Sequence, residues 1–83
     1  MTIMKGRITP LSDTKPGESG TILEITGGAG LINRLNSLGI IPRKRVKNVS
    51  SMFMRGPVTI EVDRSRIAIG FGMAQKILVQ LDA

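Results

Sequence analysis

The clearest signal in the chain is a strict alternation near its C-terminal half, where Val58, Ile60 and Val62 interleave with Thr59, Glu61 and Asp63. Period two with one apolar side predicts a strand that buries one face and wets the other. Ile77, Val79 and Leu81 repeat the pattern at the C-terminus. Between them, Arg64-Ser65 reads as a tight connection into a strand over Arg66–Ile69, and Gly70 to Lys76 leaves room for a single helical turn. Upstream, Thr21–Thr26 is rich in β-branched residues, while Ile22, Leu23 and Ile25 break strict alternation and predict a bulge. The period changes at Leu31: Leu31, Leu35 and Leu38 fall on one face of a short helix, with Asn33, Arg34, Asn36 and Ser37 on the others. Gly39 stands where a left-handed helix cap is usual, and Pro42 follows soon after. Arg43–Phe53 reads as another strand region in which Val46 and Val49 are out of step, so a bulge or a strong bend is predicted there. Pro16-Gly17, Gly20, Gly27-Gly28 and Gly56-Pro57 punctuate these segments. About five short strands with one or two short helices bury their apolar faces most economically as a mainly β, strongly bent small barrel.

Composition narrows the chemistry. At 83 residues, 41% hydrophobic and 22% charged, the chain is one domain, 1–83, with one core. Two Phe and no Trp or Tyr leave that core to Ile, Leu, Val and Met. With no Cys and no His, zinc fingers, iron–sulfur clusters, a Ser-His-Asp triad and imidazole-ligated metals are excluded, and nothing in the sequence calls for a cofactor or an enzymatic role. Glu61 and Asp63, two residues apart on one predicted strand face, are the weak candidates for a hard cation, against the plainer reading of a solvated strand face. Met52, Met54 and Met73 offer soft sulfur, a composition better suited to packing or partner contact than to iron. Gly27-Gly28-Ala29-Gly30 precedes a helix but lacks the Lys-Ser/Thr of a phosphate loop, so it reads as a turn.

Charge is the strongest remaining feature. Twelve Lys and Arg against six Asp and Glu give a formal +6, which calls for an acidic partner. Arg34, Arg43, Lys44, Arg45, Lys47, Arg55, Arg64 and Arg66 crowd the middle of the chain, opposed there only by Glu61 and Asp63. The N-terminal residues carry no apolar run of signal-peptide length and no later run approaches a membrane span, so a cytoplasmic protein that does not span the membrane is expected. A nonspecific nucleic-acid binder would also use such a basic run, but only Phe53 and Phe71 could stack on bases, so no specific nucleic-acid partner is expected.

The order of landmarks carries a resemblance: Leu11, Pro16-Gly17, Gly20, Ile22, Ile25, Gly28, then Arg34-Leu35, Leu38-Gly39-Ile40 and Pro42, then Gly56-Pro57, Val58, Ile60 and Val62, and finally Ile67-Ala68-Ile69, Ala74, Ile77 and Val79. Over about residues 8–81 the chain resembles the FeoA family of ferrous iron transport proteins. The resemblance implies an SH3-like barrel and a small cytoplasmic accessory protein that acts on a FeoB-type membrane transporter with a cytoplasmic GTP-binding domain. It leaves recruitment to the inner face of the membrane and self-association open. Pro16, Gly17, Gly20, Leu35, Leu38, Gly39, Pro42, Gly56 and Pro57 are then its structural motif, with Leu35 and Leu38 holding the helix to the barrel. Partner contact is assigned to Arg34, Arg43, Lys44, Arg45, Lys47, Met54 and Arg55. The alternatives are a basic nucleic-acid-binding barrel and a weak transition-metal sensor. The chain makes three departures from the family pattern: Arg43 stands where Gly is usual, Arg64-Ser65 stands where Gly is common, and Gly70 stands where Arg is usual.

Overall fold

The computed structural model describes residues 5–50 and 56–82; Met52, Phe53, Met54 and Arg55 lie outside the described residues. Six strands run through the chain: β1 (Lys5–Pro10), β2 (Ser19–Ile25), β3 (Arg45–Asn48), β4 (Val58–Val62), β5 (Ser65–Ile69) and β6 (Ile77–Asp82). Helix α1 (Ala29–Ser37) links β2 to β3, and the single turn α2 (Phe71–Ala74) links β5 to β6. They form one sheet in the order β1-β6-β2-β3-β4-β5 with antiparallel neighbours throughout.

The alternating strands bury what their pattern predicts: Val58, Ile60, Val62, Ile77, Val79 and Leu81 all point into the core. Leu11, Ile22, Leu35 and Ile40 join them, and every apolar residue of this buried core is aliphatic. The predicted bulge in β2 falls at Leu23, where the register against β6 shifts between Ile22 and Glu24 and Leu23 is pushed outward. Gly20 faces the backbone of β6 so closely that a Cβ built on it would overlap the Gln80 carbonyl.

The end of α1 is a Schellman cap. Gly39, at φ +88°, donates its N–H to Asn36 O, and the Ile40 N–H reaches back to Leu35 O, each at 3.0 Å. Ile40 and Leu35 are both fully buried and provide the apolar contact that accompanies this motif. Leu38 does not hold the helix to the barrel: it is the cap residue after the last helical turn and is 43% exposed. The chain leaves helical register there, and Ile40 takes the inward place that the i+7 spacing gave to Leu38.

Three further corrections concern strands. β1 is a sixth strand that the pattern did not announce, because its inward residue is Thr9 and its exposed one is Ile8. The strand region read over Arg43–Phe53 is shorter: β3 runs in step from Lys47 opposite Glu61 to Asn48 opposite Ile60, Asn48 occupies the inward position, and the strand ends before Val49. Asn48 is buried because its side chain is fully bonded. Its Nδ2 donates to Thr14 O (3.1 Å) and Thr14 Oγ1 (2.9 Å), and its Oδ1 accepts from the Ser50 N–H (2.9 Å). Finally, the β4–β5 turn lies one residue earlier than Arg64-Ser65: Val62 pairs with Ser65 across Asp63-Arg64, whose φ values of +51° and +68° make a type I′ hairpin. At Gly56 an added Cβ would meet no described atom within 4 Å.

Candidate partner-contact face

The basic run is built on two turns and the strand between them. Ile41-Pro42-Arg43-Lys44 is a turn with the Lys44 N–H bonded to Ile41 O at 3.2 Å. Proline at its second position and φ +76° at Arg43 define a type II turn, which favours glycine at the third position. Arg43 and Arg64 thus both occupy left-handed backbone where a side chain is strained by about 1–2 kcal/mol. Lys44 Nζ donates to Asp63 Oδ2 at 2.7 Å, tying the Arg43 turn to the Arg64 turn. Arg43 and Arg64 are both exposed.

Arg45 is the member of the run that is committed elsewhere. Its guanidinium forms a two-pronged pair with Asp82, Nη1 to Oδ1 at 2.7 Å and Nη2 to Oδ2 at 2.5 Å, and Nη1 also donates to Thr21 Oγ1 at 3.2 Å. This bond across β3, β2 and β6 holds the Asp82 carboxyl below the usual carboxylate range, chiefly through the hydrogen bonds from Arg45, and raises the Arg45 guanidinium in turn. Lys44 and Arg45 therefore serve first as internal ties. Among the described residues Arg34, Arg43, Lys47 and Arg64 form no ion pair with an acid within 4 Å. Lys47 and Arg64 help to line a shallow concavity of about 180 Å³ with Ser19, Arg45, Val46, Glu61 and Asp63. Arg34 is not among the residues that line this concavity; it is exposed in the last turn of α1, where its charge complements the helix dipole.

The carboxylate pair resolves differently from the strand-face picture. Glu61 remains on β4, with its Oε2 4.0 Å from Arg66 Nε, whereas Asp63 lies beyond the strand in the turn and pairs with Lys44. Among the described residues no group of three or more His, Cys, Asp and Glu side chains comes together. Sequence reasoning missed the Arg45–Asp82 tie, which spans 37 positions and leaves no local signal. It also missed the buried role of Asn48; an Asn standing at an inward position of a strand is the trace that could have revealed it.

Six antiparallel strands with two short helices define a small SH3-like module that carries basic turns. The comparisons with known proteins go further. Residues 9–81 match the FeoA domain, which places the chain in the FeoA family, accessory proteins of ferrous iron transport. A relative named as an Fe(2+) transport protein A, from Methanocaldococcus jannaschii, is 39% identical over 71 residues, covering 86% of this chain and 84% of its own length. A crystal structure of an iron uptake regulatory protein, FeoA, superposes with a TM-score of 0.83 at 35% identity, covering 90% of this chain and 99% of that one. Stenotrophomonas maltophilia FeoA complexed with zinc, described as a prokaryotic SH3 domain protein, matches with a TM-score of 0.71 at 20% identity over 93% of this chain and 89% of that one, a likeness of fold. Among the described residues no helix is long and apolar enough to cross a membrane.

Proposed function

We propose that this chain is a non-enzymatic, cytoplasmic accessory protein of ferrous iron uptake that docks on the cytoplasmic part of a FeoB-type transporter and alters its gating or GTPase cycle. The observation that carries the reading is the set Arg43, Lys47 and Arg64, exposed cations without acid partners among the described residues, two of them on turns that the Lys44–Asp63 bond ties together and Lys47 on β3. A solvated surface has no need of arginine at left-handed positions that glycine fills without strain. A contact surface does, because an unpaired guanidinium on a rigid turn meets a carboxylate with little loss of conformational freedom. Met54 and Arg55 belong to the proposed contact from the sequence and lie outside the described residues. Iron is the transporter's cargo in this reading.

The test is a titration of the full chain with the purified cytoplasmic GTP-binding domain of the same cell's ferrous iron transporter, with duplex DNA and RNA at matched salt as controls. Saturable binding to the transporter domain alone supports the reading. Binding to nucleic acids alone, with a steep loss of affinity as salt rises, would replace it with the nucleic-acid alternative.

A further inference from the structure

The sheet order leaves β1 and β5 at its two edges. The pairing of β5 determines which of its backbone groups face outward. A two-residue turn closes on Val62 and Ser65 as a hydrogen-bonded pair, so Ile60/Ile67 and Val58/Ile69 are bonded pairs as well. The N–H and C=O groups of Arg66 and Ala68 consequently point away from β4. Among the described residues no backbone hydrogen bond from outside the ladder reaches β5. The other edge is blunted: β1 has a register irregularity between Lys5 and Ile8 and ends in Pro10, which has no N–H to offer. β5 has neither feature, and its outward side chain at position 68 is only a methyl group.

Charge specifies what would fit. Across the outer face, Lys47, Glu61 and Arg66 stand side by side on β3, β4 and β5, an alternating row that ends in a cation at the open edge. The Arg66 side chain is 71% exposed and, among the described residues, its one acid is Glu61 at 4.0 Å, while Arg64 adds a second cation at the head of the strand. A carboxylate opposite Arg66 on an added strand continues the row favourably, and a like charge there opposes it. Ile67, on the other face, is half-buried and open to an apolar neighbour.

We propose that the free edge of β5 accepts an extended acidic segment of a partner protein as a seventh strand, with a carboxylate opposite Arg66 and an apolar side chain beside Ile67. The proposal does not depend on which protein supplies the segment, and it stands or falls separately from the transporter reading. The probe is a capped heptapeptide of alternating glutamate and valine, with its lysine and valine counterpart as control, added to isotope-labelled full chain. The acidic peptide should slow hydrogen exchange at the Arg66 and Ala68 amides. Ala68→Pro deletes an outward N–H without touching the β4 ladder and should abolish that binding at unchanged melting temperature. Arg66→Glu should weaken the acidic peptide by about tenfold and reverse the preference toward the basic one; this variant carries the test if Ala68→Pro lowers stability. Unchanged exchange at Arg66 and Ala68, equal binding of the two peptides, or protection of β5 that rises with protein concentration without peptide would each overturn the proposal, the last by assigning the edge to a second copy of the chain.

Discussion

Replacing Arg43 with glycine should make the protein more stable and a poorer binder at once. At φ +76° the Arg43 backbone is in the left-handed region, which costs a residue with a Cβ about 1–2 kcal/mol. Glycine removes that cost but adds about 0.5–1 kcal/mol of backbone entropy to the unfolded chain. The one hydrogen bond that the Arg43 backbone donates, to Ile22 O at 2.7 Å, survives the change because it needs only the N–H. The net expectation is a gain of about 0.5–1 kcal/mol, which for a domain of this size raises the melting temperature by about 2–8 °C. Arg43→Ala is the matched control: it deletes the same charge and keeps the Cβ, so it should lose binding without the gain in stability. Thermal and urea unfolding followed by circular dichroism measure the stability arm, and titration with the transporter domain measures the other. If Arg43→Gly is no more stable than Arg43→Ala, the turn is not strained and the reasoning from the left-handed arginine fails.

Asn48→Ala should cost about 2–3 kcal/mol in urea unfolding, because it strips partners from Thr14 O and the Ser50 N–H beneath the surface; a loss under about 0.5 kcal/mol would show that water replaces the amide there. Gly20→Ala forces β2 away from the Gln80 carbonyl and should cost about 1–3 kcal/mol, read from the same unfolding curves. The pH dependence has a definite sign. Asp82 titrates below its unfolded-state value, so the stability that its pairing with Arg45 supplies is fully present above the ordinary carboxylate range and is lost as pH falls from there through the lowered value of the folded state. Asp82→Asn should therefore flatten that part of the stability profile, and added salt should do the same in the wild type.

Half-buried strands were legible because burial writes itself as period two. In β4 and β6 every inward residue is Val, Ile or Leu, and the sequence reading of both stands. β1 hid because its inward place is held by Thr9 while Ile8 is exposed, whereas β3 was read as a strand but with its period obscured, because the inward place at its end is held by Asn48, whose bonds are supplied by Thr14 and Ser50. The helix and its glycine cap were legible from Leu31, Leu35 and Gly39, but the i+7 rule carried one residue too far, past the helix end, to Leu38. For the contact face, the sequence supplied the cluster of cations and not their employment. Charge at adjacent positions does not say that Lys44 and Arg45 turn to Asp63 and Asp82, acids 19 and 37 positions away, while among the described residues Arg43, Lys47 and Arg64 have no such acid. The departures from glycine at Arg43 and Arg64 gained their meaning only from the backbone angles.

If Arg43, Lys47 and Arg64 form the surface that engages the transporter, reversing their charges removes the contact. The most direct test compares wild type with the triple variant Arg43→Glu, Lys47→Glu and Arg64→Glu in calorimetric titration against the cytoplasmic GTP-binding domain, with Arg34→Glu as a charge-reversed control on α1. The account predicts a loss of affinity of about tenfold or more for the triple variant, at least 1.4 kcal/mol, with a shallower dependence on salt and a control close to wild type. Affinity of the triple variant within about twofold of wild type, with the fold intact, would contradict it.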